Sequence, residues 1–337
     1  MPNTESTLFE LLDTQSSNLF DEEGFAVHCP MVLTALARMG ASDQQLRDYY
    51  AYWQSENPKL ITVRKSDNAI RIDNWQHYLH QVDSFSSLQY FFQNWIGESS
   101  VDAVMLQVLS HIPIAPASVA FHGVIRLAYG LEADHHGEIA AGLAALVVRN
   151  FAIQLAHSAD QPHVDSVSEG LMHLSNSMKN FETPERNITA RIHAVIADPR
   201  FAQTLPTLPT DAFNEMATNA ITFLHQTQDF TVLHMVTALH AARIILARLP
   251  EEIFHQFMPP LWTAYCAAYV SAGAPRIHAV THKNSNLPWD TLLARACTCT
   301  EDHQIKIIYT CHQEYLNSDS PPAKQLYLES ANAFLAS

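Results

Sequence analysis

Apolar and polar positions alternate with a helical period along almost the whole chain. Apolar residues recur every three to four positions over 31–38, 118–131, 139–155, 213–224, 231–249, 254–271 and 303–316. That spacing predicts a helix in each segment. Pro30 ahead of the first segment and Gly40 behind it fit this reading. Proline suits the first helical turn, and glycine the position just past the end. Strand patterns are nearly absent; only 60–63 and 69–72, across Lys65-Ser66-Asp67-Asn68, read as one small hairpin. The breaks at 158–163, 183–187, 206–209, 273–275 and 318–322 are too short for domain linkers, and no segment repeats another. The expected architecture is all-α, with a short mobile N-terminal arm over 1–20 and a single multi-helix domain over 21–337.

Composition narrows the function. The chain has 337 residues, 47% of them hydrophobic, enough for a large core. With 19 Lys+Arg against 34 Asp+Glu, the net charge is -15. Such a surface repels phosphate backbones and anionic headgroups, which argues against nucleic-acid and membrane partners. None of the 9 glycines forms G-x-G-x-x-G or G-x-x-x-x-G-K-[ST]. Without those turns a nucleotide pyrophosphate has no docking loop, so no residues are assigned to an NAD(P)H or flavin cofactor. The 5 cysteines show no disulfide framework, and the first residues lack the basic start and apolar run of a signal peptide. A cytoplasmic, reduced protein is expected.

The 19 histidines equal the whole count of Lys+Arg. His77, His80, His135, His136, His163, His278 and His282 lie in polar or turn-like stretches and read as solvated or capping residues. His28, His122, His234 and His303 instead lie within or beside apolar runs. A buried imidazole needs a partner, either a carbonyl or a metal ion. Lys306 follows His303 by one turn and is flanked by Ile305, Ile307 and Ile308. Either it snorkels to water, or burial holds it partly neutral and able to take up CO2 as a carbamate. His240 lies about 120° around the helix axis from His234, too far to share one ion easily, and reads as supporting or structural. Cys297-x-Cys299 lacks a second pair and reads as structural.

Four segments in order, FAVHCPMVLTALARMGAS, FHGVIRLAYGLE, FTVLHMVTALHAARIIL and EDHQIKIIYTC, resemble the signature blocks of the questin oxidase-like family, also catalogued as a domain of unknown function. The resemblance runs from about residue 20 to residue 320. It implies oxygenase chemistry on a phenolic, quinone or enol-type, polyketide-like small molecule. It also implies mononuclear non-haem Fe(II) with O2 as co-substrate, held by His28, His122, His234, His303 and a carboxylated Lys306. His240 stands as the alternative fourth histidine. Val27 occupies a position where many relatives carry asparagine, which bears on substrate identity more than on metal binding.

Five ligands on an octahedral ion leave one open position, and the mostly neutral nitrogen shell suits Fe(II) at rest. Arg126 and Tyr129 are candidates to steer an anionic phenolate or enolate, with helix-packing contacts as the alternative. Tyr309, one turn past Lys306, is a candidate to hydrogen-bond the carbamate, or is simply packed. The rival classes are a flavin/NADPH Baeyer–Villiger monooxygenase, a zinc hydrolase and a non-catalytic helical binding protein. The sequence leaves the oligomeric state open.

Overall fold

A computed structural model describes residues 4–15, 18–20, 26–57, 70–155, 161–278 and 286–336. The chain runs through α1 (Thr4–Gln15), α2 (Cys29–Arg38), α3 (Asp43–Glu56), α4 (Phe85–Glu98), α5 (Val101–His111), α6 (His122–Ala133), α7 (His136–Val148) and α8 (Val167–Ser177). It continues through α9 (Ile188–Ala197), α10 (Pro199–Thr204), α11 (Ala212–Thr227), α12 (Phe230–Leu246), α13 (Glu251–Ser271), α14 (Trp289–Ala296), α15 (Asp302–Asn317) and α16 (Pro321–Ala336). Two short 3-10 helices precede α4, and among the described residues there is no strand, only an isolated bridge between Phe20 and Ala26. The fold is all-α, as the periodicity predicts. No described helix is long and apolar enough to cross a membrane.

Four helices form a closed ring at the centre: α2 packs on α6, α6 on α12, α12 on α15, and α15 back on α2. The sequence of α12, FTVLHMVTALHAARIIL, has almost no polar face, so the helix has to be covered on every side. It is covered by α6, α11, α13 and α15. The same holds for α6, in which every residue from His122 to Leu131 is buried. Its outer side lies against α7, the most extensive helix pairing in the molecule. That pairing is close because glycines stand at the crossing. A Cβ at Gly142 would lie 2.5 Å from the Leu127 backbone, and one at Gly130 would lie 2.6 Å from the Ile139 nitrogen.

Several sequence expectations are corrected. The helix expected from 118 starts only at His122, because Val119, Ala120 and Phe121 hold φ of 54°, 51° and 71°. A right-handed helix cannot pass through three left-handed residues. The helix expected to reach 155 stops at Val148, where the Asn150 amide donates to the carbonyls of Leu146 and Pro113. The N-terminal stretch expected as a mobile arm carries α1, whose Leu8, Leu11 and Leu12 are buried in the core. The expected hairpin falls mostly outside the described residues; its described end, Ile70–Ile72, is not a strand. Helix α3 was hidden by its polar composition. Its signal is the capping box Ser42…Gln45, in which each side chain binds the other residue's backbone N–H.

Candidate functional site

Each helix of the ring brings its N-terminal end to one place. His28 is the N-cap of α2 and His122 is the first residue of α6. His234 is in the first turns of α12, and His303 and Lys306 are in the first turns of α15. The four imidazoles meet. Ring centroids are 4.8 Å apart for His28–His122, 4.6 Å for His28–His303, 4.9 Å for His122–His234 and 5.5 Å for His234–His303.

In each ring Nδ1 faces an oxygen. His122 Nδ1 donates to the Val119 carbonyl at 2.8 Å, and His234 Nδ1 to the Phe230 carbonyl at 2.8 Å. His303 Nδ1 donates to Glu301 Oε1 at 3.3 Å, and His28 Nδ1 lies 3.4 Å from Asp302 Oδ2. Placing the proton on Nδ1 leaves the lone pair on Nε2. His303 Nε2 is buried without a hydrogen-bond partner, and the Nε2 atoms of His28 and His122 stand 2.8 Å apart.

At that distance either His28 carries its single proton on Nε2 and donates it to His122, or a cation lies between or beside two lone pairs. A second, charging proton on any of the rings is disfavoured. Burial first, then the neighbouring Lys306 and imidazole charges, holds His28 and His234 well below the ordinary imidazole range, His234 at about 3. Burial, then the neighbouring His28 and His234, does the same to His122, and burial with Lys306 lowers His303. A divalent metal suits the same donors. Nitrogens bound at right angles to one ion, each about 2.1 Å from it, stand about 3 Å apart. Among the described residues, no three His, Cys, Asp or Glu side chains are already arranged around one ion position. The match is therefore in donor chemistry and in the one close pair.

Lys306 is 3% exposed. Burial pushes its ammonium down to about 8, against the opposing pull of Asp302 and Glu301. It stands one turn past His303 on α15, and its charge helps to lower all four imidazoles.

On one side of the imidazoles opens a cavity of about 950 Å³, within the size range of small-molecule sites. Its walls include Val119, Ala120, Phe151, Ile188 and Phe230. Phe230 is 52% exposed, with its ring 4.6 Å from that of His234 and 4.7 Å from that of His303. A smaller cavity of about 290 Å³, which also reaches His28 and His303, is bordered by Glu56, Glu301 and Asp302.

Three candidates from the sequence lie elsewhere. Arg126 is buried, its guanidinium bidentate on Glu138 at 2.8 and 3.1 Å and donating to the carbonyls of Gln15 and Asn18. Its fork is filled, and it does not line the large cavity. Tyr309 donates to Glu132 Oε1 at 2.8 Å and packs on Tyr129, whose ring is 5.8 Å away. All three are therefore held in helix-packing contacts.

His240 belongs to the same deeper layer, about 9 Å along α12 from His234 at the usual helical rise. It sits between Glu314 at 2.9 Å and Glu132 at 3.6 Å. The single C-x-C is structural, with Cys297 buried and its thiol 4.0 Å from the Leu36 carbonyl. Residues that sequence reasoning missed are Asp302, Glu301, Phe230 and the left-handed turn at Val119–Phe121. Asp302 had a usable signal, since it adjoins His303 in the last quoted block; the turn had none, because it contains no glycine.

An all-helical chain that gathers buried imidazoles and a lysine beneath a large cavity is of the class that places a binding site between facing helices. The chain belongs to the questin oxidase-like family, whose model matches residues 25–311. The family name points to an oxygenase. No match was found among curated proteins.

Proposed function

We propose that the protein is an oxygenase that uses Fe(II) and O2 to insert oxygen into, or cleave, a carbon–carbon bond of a phenolic, quinone or enol-type small molecule. His28, His122, His234, His303 and a carboxylated Lys306 would hold the metal. One observation carries this reading: four imidazoles from four helices meet with every Nδ1 facing an oxygen, which leaves the Nε2 lone pairs for a cation. Iron supplies the one-electron and dioxygen chemistry that no side chain of the protein has.

The protein's own residues do the rest. Val119, Phe230, Glu301 and Asp302 fix the imidazole tautomers, and Tyr49 donates to Asp302 Oδ1 at 2.6 Å, holding that carboxylate in place. Lys306 Nζ, neutral in part near physiological pH, attacks the carbon of CO2. The product is a carbamate anion and one released proton. Helix N-termini carry partial positive charge, so the ends of α2, α6, α12 and α15 favour that anion. Phe151, Phe230 and Ile188 cover the faces of a flat substrate and exclude water.

Metal analysis of protein purified without chelator tests the proposal. About one iron per chain is expected, as is oxygen uptake with a hydroxyanthraquinone or naphthol that stops under anaerobic conditions. Turnover without oxygen would point to zinc hydrolysis instead. The His122→Ala and His234→Ala variants are expected to lose the metal and keep their helical circular dichroism. A full equivalent of metal in either would overturn the assignment. Lys306→Ala is expected to be inactive and to lack the carbamate carbon signal that wild-type protein gives after exposure to labelled bicarbonate. Wild-type activity in that variant would leave the carbamate without support.

A further inference from the structure

Among the described residues, the lining of the large cavity differs in charge from the rest of the molecule. The chain carries 34 Asp+Glu against 19 Lys+Arg. Yet the described residues lining the cavity include Arg149 and Arg186 and no Asp or Glu. Both arginines are exposed. Elsewhere Arg47, Arg126, Arg200, Arg243 and Arg248 each pair with a carboxylate, and Arg38, Arg191 and Arg276 donate to carbonyl or amide oxygens. Among the described residues Arg149 and Arg186 have no such partner; Arg149 lies 4.9 Å over the Phe20 ring. Arg186 immediately precedes Asn187, the N-cap of α9, whose first turn also lines the cavity. The ends of α2, α6, α12 and α15 bring their partial positive charge to its floor.

We propose that the substrate bears a carboxylate and that Arg149 and Arg186 are the residues that select it. The planar guanidinium fork matches a carboxylate with two parallel hydrogen bonds, which a lone ammonium cannot do. The apolar walls at Phe151 and Phe230 take the ring, and the arginines take the acidic group. The proposal rests on the cavity being the substrate's, as the oxygenase reading has it. It does not depend on which metal is bound.

The test is binding to metal-free protein, so that coordination of the probe to iron plays no part. 1-Hydroxy-2-naphthoate and its neutral carboxamide, nearly equal in shape, are titrated calorimetrically at low salt. The acid is expected to bind about tenfold more tightly, the preference of one to two exposed charge-assisted contacts. Arg149→Ala and Arg186→Ala should each reduce that ratio, and the double variant should bring it close to one. Arg149→Lys and Arg186→Lys should keep part of it, and high salt should shrink it in wild-type protein.

Equal affinity for the two probes in wild-type protein, an acid preference that survives in the double variant, or failure of both probes to bind would each overturn the proposal. Iron content is read separately. Acid selectivity without iron would sink the oxygenase reading and leave this one standing, and iron without acid selectivity would do the reverse.

Discussion

At the scale of single residues, the site depends on the groups behind the imidazoles as much as on the imidazoles. Asp302 faces His28 Nδ1 and accepts the Tyr49 hydroxyl, so its charge sets where the His28 proton resides. Asp302→Asn keeps the shape and removes the charge. It is expected to lower metal affinity about 10- to 100-fold, as losses of such supporting groups do, measured by chelator competition. Apolar flanks made His28, His122, His234 and His303 legible in the sequence, because an imidazole amid apolar residues has to be accounted for. Asp302 was legible only as the neighbour of His303; its partner His28 is met only where α15 passes α2. For Arg126 the packing alternative fits what the structure holds: it stands one turn beyond His122, and Glu138 on α7 binds its guanidinium.

Among the helices, the approach of α6 to α7 decides where His122 can stand. Gly142 lies inside the apolar run 139–155, where a glycine weakens a helix. In the fold it is the contact that lets the Leu127 backbone come close. Gly142→Ala places a methyl group 2.5 Å from backbone atoms that cannot rotate away. Overpacking of this kind costs about 1–3 kcal/mol, so a lower Tm is expected, with weaker metal binding because α6 carries His122. The left-handed turn before α6 works in the same direction. Three residues there bear about 1–2 kcal/mol of strain each, and the turn aims the Val119 carbonyl at His122 Nδ1.

For the whole molecule, titration makes a joint prediction. The four clustered imidazoles have folded pKa values below the ordinary one, chiefly through burial. The unfolded chain therefore takes up more protons below pH 6.5, and stability falls as the pH drops, at about 1.4 kcal/mol per pH unit per imidazole. His240 runs the other way. Burial alone would lower it, but Glu132 and Glu314 raise it to about 9. Its contribution is complete below pH 6.5 and lost as the pH rises through 9. Urea unfolding of metal-free protein against pH is expected to give a maximum near neutrality. His240→Gln should flatten the fall between pH 6.5 and 8, below the range in which Lys306, at about 8, and the buried cysteine thiols also titrate, and leave the acid side in place.

The sequence by itself determined the helical class, the four histidines that need partners and the lysine among isoleucines, because periodicity and apolar neighbours are local properties of the chain. It overextended helices at 118 and 155 and left out nine described helices, α1, α3, α4, α5, α8, α9, α10, α14 and α16, because their limits depend on a strained turn, on side-chain caps such as that of Asn150 and on burial against distant helices. Only the tertiary structure decided that Arg126 and Tyr309 face other helices, that His240 lies in a deeper layer, and that Asp302 and Phe230 stand beside the imidazoles. Those facts come from which helix ends meet. Contacts between residues remote along the chain are set by packing of whole helices, to which spacing along any one of them is blind.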